Sequence, residues 1–448
     1  MALNSFSKSS FDLFRFLIGI IVVSAALFPE KGPGQDAENK AGSENVMIPF
    51  ENLKGRALFF LLFMWFLWFL SFTTRAIFSP VLPLIEDEFS INHATAGSLF
   101  AFMSIGYSIS LLAAGILGGR IGYKKFISFC LIGSALVFLS IPFVTAFPPL
   151  RVLSFLLGMA AGIYLPSSIP LLTAYYHEKT WGRTIAIHDS AASFSIFASP
   201  FICLGGLLFL PWRGIFGLLG AVTLVCGIVF LFLGPEVKIR KHGRNPLLSL
   251  VKRRSLWIMG VVWLFAASSN MGLYFIFPLY LTKELHIHLE SAQAIFGFSR
   301  LGGIGVAVAA GFFVDRLSLR KMIFFILLLT GILTLSLVYR DLQWLKVILF
   351  LQASIAVGFF PVALVLLSRI FERELRGQAT GLIVTFGVIF GIGLGPYLLG
   401  LSGDLLSFRF GIGLLGILTA LSSGLIFLLP EGAGKALREN GSGPGHGH

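Results

Sequence analysis

Charge is what this chain is short of. Only 12% of its 448 residues are Asp, Glu, Lys or Arg, about half of the roughly 25% found in soluble globular chains. That deficit excludes an ordinary water-soluble enzyme or binding domain. Acids are scarcest: 21 Asp and Glu stand against 34 Lys and Arg, a formal net charge of +13. A balance this basic is also the footprint of a nucleic-acid binder, but such a surface needs its cations on one water-facing patch. Here they sit in short connections between apolar runs, so no nucleic-acid partner is expected. Cysteine is almost missing too. Cys130, Cys203 and Cys226 each fall inside an apolar run, which leaves neither a disulfide framework nor a metal-ligand spacing. The chain has no phosphate-cradling glycine loop, metal cluster or nucleophile triad. Enzymatic turnover, ATP-driven pumping and a bound cofactor are therefore not expected.

What is present is hydrophobic length. Hydrophobic residues make up 56% of the chain, with 47 Phe and 50 Gly, and the mean hydropathy is +0.88. Residues 57–430 divide into apolar stretches at 57–83, 94–118, 126–147, 149–173, 184–209, 213–234, 256–281, 291–314, 322–339, 345–368, 378–401 and 410–430. At ~1.5 Å per residue these helices are long enough to cross a ~30 Å hydrocarbon core. The fold class is an all-α membrane protein: a six-helix half at 57–234, a linker at 235–255 and a second six-helix half at 256–430. The linker carries Lys238, Arg240, Lys241, Arg244, Lys252, Arg253 and Arg254. Every second loop agrees with it in charge, through Arg120, Lys124 and Lys125, Lys179 and Arg183, Arg316, Arg320 and Lys321, and Arg369, Arg373 and Arg376. By the positive-inside bias these connections face the cytoplasm, as do both ends of the core. The expected location is a bacterial inner membrane, with the chain acting as a monomer.

Residues 1–56 read as an extension outside that core. Phe16–Phe28 is short for a span and resembles the apolar region of a signal peptide. The alternatives are an over-called start with Met47 as the real one, or a thirteenth helix. The tail 431–448 reads as disordered.

The two halves repeat each other. Gly115-Ile-Leu-Gly-Gly119-Arg120-Ile-Gly122-Tyr-Lys124 ends the second stretch, and Gly311-Phe-Phe-Val-Asp315-Arg316 ends the eighth. This resembles the signature loop of the major facilitator superfamily, G-x-x-x-D-R-x-G-R-K, which occurs once per half. Gly119 stands where the first copy would have its acid, so a weaker latch is expected there. Gly391-x-x-x-Gly395-Pro396 resembles the G-x-x-x-G-P motif of the same superfamily, with Ser195-x-x-x-Ser199-Pro200 as its degenerate partner. Small residues four apart let membrane helices approach closely. Trp212-Arg213 and Phe408-Arg409 open the sixth and twelfth stretches alike. The resemblance implies the major facilitator fold, a central site between the halves and alternating access by rocking.

Intramembrane charge marks the candidate site, because it is expensive and usually functional. Arg75, eight residues before Pro83, resembles the first-helix Arg of anion:cation symporters and of organophosphate:phosphate antiporters, where it faces an anionic substrate. Thr74 stands where the symporters usually have Asp, and Asn270 where the antiporters have a second Arg. Arg300 lies ~22 Å above Asp315 on a helix, at a height comparable to Arg75. Carboxylate carriers of the superfamily also place an Arg in this helix, though at a position closer to the signature loop. Two guanidiniums on facing halves would form a bidentate anion clamp; the competing reading of each is snorkelling to the interface. Asp189, beside His188, could couple protons, or could simply sit near the positive end of a helix dipole. Tyr107, Tyr164, Asn270, Tyr274, Gln352 and Tyr397 are polar positions in apolar helices that line a cavity or join helices. The reading is a proton-coupled carrier of a small organic anion, with hydrophobic-drug efflux as the alternative.

Overall fold

In hydrocarbon every backbone polar group needs a partner within the protein, and apolar segments of this length meet that need as helices. The computed structural model describes residues 50–236, 250–303, 305–306, 309, 317–339, 341–372 and 375–429, without the side chains of 115–121. The extension, most of the linker, the tail and the second signature loop with Gly311, Asp315 and Arg316 lie outside the described residues. Among those described, eleven helices are long and apolar enough to span a bilayer. In the first half they are α1 (Arg56–Phe89), α2 (His93–Ile121), α3 (Tyr123–Phe143), α4 (Phe147–Tyr175), α5 (Glu178–Leu207) and α6 (Trp212–Leu233). In the second they are α7 (Arg254–Glu284), α9 (Leu319–Ser336), α10 (Leu342–Ile370), α11 (Arg376–Leu405) and α12 (Phe408–Leu428). The eighth, α8, is helical from Leu289 to Phe298. We call the side where α6 ends and α7 begins the linker face and the opposite side the distal face.

Several helices depart from uniform rods. The first extends beyond the expected boundary at 83: it breaks at Ile77 and continues from Phe78 to Phe89, ending at Ser90 with φ 49°. Glu86, Asp87 and Glu88 therefore belong to its last turn. Wide π turns occupy Ser268–Gly272 and Tyr280–Glu284 of α7 and Gly387–Leu394 of α11.

The halves are built on the same joints. In the first, Trp212 and Arg213 of α6 both donate to the Glu88 carboxylate at the end of α1. In the second, the Phe408 N–H and Arg409 of α12 meet Glu284 at the end of α7. The small-residue motifs also correspond. Ser195 of α5 bonds Thr73 of α1 at 2.9 Å, while a Cβ built on Gly391 of α11 would lie 2.7 Å from the Leu264 carbonyl of α7. A residue larger than Gly cannot occupy position 391 without moving α7.

Candidate functional site

Arg75 ends the first segment of α1, just before the break at Ile77. Trp68, Phe72 and Arg75 are three to four residues apart and share a helical face. The guanidinium carbon lies 4.5 Å from the Phe72 ring centre, 5.9 Å from Trp68 and 4.7 Å from Tyr107 of α2. Aromatic faces attract a cation, but they do not accept its N–H bonds. Nε and Nη2 are buried without a hydrogen-bond partner.

Arg300 repeats this situation in the second half. It is 6% exposed, lies 5.0 Å from the Tyr274 ring and 5.3 Å from Phe296, and its Nε and Nη2 are also buried and unpartnered. Its platform reaches across to the first half. The Tyr274 hydroxyl donates towards the carbonyls of Ala76 and Ile196, at 3.4 and 3.3 Å, and Ser79 donates to the Tyr274 carbonyl at 2.7 Å. Since Ala76 follows Arg75, the joint through Tyr274 brings both arginines to one level of the bundle. Snorkelling extends a cation to water; both fork nitrogens here remain inside the protein.

The remaining candidates divide between the level of the arginines and the packing beside it. Tyr107 forms part of the Arg75 cage, and Asn270 sits buried in the wide turn of α7. Tyr164 stacks on Trp68 at 4.8 Å and donates to the Met64 carbonyl. His188 is fully buried and lies parallel to both rings, whereas Asp189 is exposed. Gln352 is held inside the second half, donating to the Ser269 carbonyl at 2.8 Å and to Thr334 at 3.1 Å. Tyr397 is half-buried on α11, where a Cβ on Gly97 of α2 would meet the Tyr397 Cα at 3.1 Å.

Sequence reasoning missed the distal closure. Lys283 of α7 contacts Asp87 of α1 and stands 4.0 Å from Glu86, and Glu86 bonds His93 at 2.7 Å. The Asp404 carboxylate of α11 accepts the His93 and Ala94 N–H groups of α2 at 2.9 and 2.8 Å. Buried Gln293 of α8 donates to the Pro80 carbonyl at 2.8 Å. The available signal was the clustering of acids and cations at the ends of spans one, seven and eleven, of which sequence reasoning used Glu86, Asp87 and Glu88 alone, and those only for topology. These contacts join the halves on the distal side.

A helical bundle in two like halves, joined at one face and with a buried arginine in each whose Nε and Nη2 are unpartnered, is compatible with a carrier. The sequence model of the Major Facilitator Superfamily matches residues 64–339 and 264–446. The chain belongs to the Major Facilitator Superfamily. It is 24% identical over 366 residues to the 4-hydroxybenzoate transporter PcaK of Pseudomonas aeruginosa, a match covering 72% of this chain and 81% of that protein. It is 22% identical over 394 residues to the glycerol-3-phosphate transporter of Bacillus subtilis, covering 79% and 87%. A crystal structure of a bacterial homologue of the human lysosomal transporter Spinster superposes with TM-score 0.72 at 14% identity, over 87% of this chain and 99% of that one. The superfamily's first signature loop is partly described: Gly122 has φ 98°, a conformation that suits glycine alone. A Cβ there would lie 2.1 Å from a Glu236 carboxylate oxygen, so an acid from the end of α6 occupies the loop where Gly119 supplies none. Lys124 donates to the Phe232 carbonyl at 3.3 Å. Gly115 and Arg120 are helical, with side chains outside the description. The Gly391-to-Pro396 motif packs α11 on α7 and, through Pro396, on α2: a Cβ on Gly97 would lie 2.7 Å from the Pro396 carbonyl oxygen.

Proposed function

We propose that this facilitator carries a small organic anion bearing a carboxylate, by alternating access coupled to protons. The supporting observation is the pair Arg75 and Arg300, two guanidiniums on opposing halves whose Nε and Nη2 have no protein partner. An unpaired buried cation costs several kcal/mol, and a carboxylate bound bidentately supplies both charge and acceptors. Tyr107, Asn270 and Tyr274 frame the same level and would contact the rest of the substrate. Asp189, exposed beside the His188 stack, is the proposed proton carrier. The linker face is cytoplasmic in a bacterial inner membrane; modification of single cysteines at 119–125 from outside intact cells would reverse that orientation.

The relatives narrow the first substrates to try. Purified protein in proteoliposomes is to be given labelled 4-hydroxybenzoate or glycerol-3-phosphate under an imposed pH gradient. Saturable uptake of the carboxylate, abolished by an uncoupler, is the expected result. Saturable movement of hydrophobic cations with no anion uptake would establish drug efflux instead, a reading favoured by the aromatic run Trp65, Phe69, Phe194 and Phe197.

A further inference from the structure

The first turn of a helix leaves four N–H groups that the helix cannot satisfy itself. In α2, where Asn92 is the N-cap, three of these belong to His93, Ala94 and Thr95. One finds its partner within the first half, where the Asn92 side chain accepts from Thr95 at 2.9 Å; the Asn92 carbonyl takes the first regular helical bond, from Ala96 at 3.0 Å. The other two find theirs in the opposite half, where both Asp404 carboxylate oxygens take the His93 and Ala94 N–H groups. Two N–H groups of the first turn of α2 are thus satisfied only while the halves touch at the distal face. The fit is close, since a Cβ on Gly400, one turn before Asp404, would lie 2.5 Å from the His93 carbonyl oxygen. The His93 ring packs 4.8 Å from Phe408 of the second half.

We infer that Asp404 is the clasp of the distal gate: its carboxylate holds the transporter closed there by completing α2, and releasing that cap is a required step of opening. The inference rests on the alternating-access reading, but it needs no substrate to test. Both oxygens accept, and the negative charge sits at the positive end of the α2 dipole. The neighbouring Lys283 contacts exposed Asp87 (63%) and lies 4.0 Å from buried Glu86, a pairing of flexible side chains of the kind that contributes little. Asp404, also exposed, instead bonds two backbone N–H groups that the helix holds fixed. One residue of α11 therefore outweighs the more conspicuous salt bridge beside it.

The test is the distal opening measured directly. Spin labels are placed at Leu208→Cys and Tyr339→Cys, exposed distal positions on opposite halves, after replacing Cys130, Cys203 and Cys226. Electron–electron double resonance then gives the distance distribution in proteoliposomes without substrate. Loss of a helix cap is expected to raise the open-to-closed ratio about tenfold in Asp404→Ala. Asp404→Asn keeps the shape with one acceptor oxygen and should fall between Ala and the parent. Lys283→Gln should shift the ratio by less than a third of the Ala effect. Parental distances in both Asp404 variants, or an equal shift in Lys283→Gln, would overturn the clasp. The Asn variant keeps the question answerable if the Ala variant does not fold.

Discussion

The two halves share their joints and differ in what they hold at mid-depth. Glu88 with Arg213 in the first half corresponds to Glu284 with Arg409 in the second, and each ties the end of one helix to the start of another. Between those joints the first half holds Arg75 in a three-ring cage, while the second holds Arg300 against Tyr274 and Phe296. Where the first half has Arg75, eight residues before Pro83, the second has Asn270, eight before Pro278. Packing needs are met twice by one solution; the buried cations are distributed asymmetrically on top of it. A charge shared by two unlike sites can orient its carrier, which two identical sites could not.

The largest expected effect comes from removing the planar fork while keeping the charge. Arg75→Lys and Arg300→Lys should each reduce uptake on the order of a hundredfold with the protein still folded, since small misplacements of a binding group cost that much. The double variant should be within about threefold of the worse single one, because both act on one substrate charge. Parental uptake in Arg75→Lys would make the cage a structural feature.

Next, Asp189→Asn should abolish accumulation driven by a pH gradient but preserve exchange of labelled for unlabelled substrate. Retained accumulation would return Asp189 to its role at a helix start. The shared joints give a smaller, symmetric signal. Arg213→Gln and Arg409→Gln should each cost about 1 kcal/mol of stability in chemical unfolding, and unequal losses would show that the two joints are not equivalent. The smallest effect on transport is expected at Gln352, whose amide is already used to hold α10 to α7 and α9. Gln352→Leu should cost about 1 kcal/mol and leave transport near the parental rate; a large transport defect would place it at the substrate.

Much of this was legible in the sequence because lipid leaves few choices. Twelve spans follow from hydropathy, and the Gly391-to-Pro396 motif from its resemblance to that of the superfamily; the family model matches, and eleven spanning helices stand among the described residues. Arg75 and Arg300 stood out because charge inside a span is rare. The cage around Arg75 could not be read fully, since Tyr107 comes from another helix and nothing in its neighbours announces the pairing. His188 and Asp189 are adjacent, yet one is buried in a ring stack and the other exposed, a separation set by about 100° of helical rotation between neighbours. The distal closure was hidden for the same reason: Asp404 lies 311 residues from His93 and 310 from Ala94 along the chain, and only the folded bundle brings them together.

The wide turns in α7 and α11 have a mechanical meaning. They lie against each other, with a Cβ on Gly272 falling 2.5 Å from the Gly391 carbonyl oxygen. Beyond them, Tyr274 and Asp404 fasten both helices to the first half. Before them, the segments Arg254–Ala267 and Arg376–Phe386 hold each other instead, with Trp257 edge-on to Phe386 and Trp263 filling the space beside Gly387. A π turn interrupts the regular hydrogen-bond ladder that makes a helix stiff. Two such interruptions at one depth act as paired knuckles, so the linker-side segments can swing as a unit while the distal segments stay anchored. If the second half moves as two plates and not as one block, amides at 268–272 and 387–394 will exchange faster than those in the flanking turns.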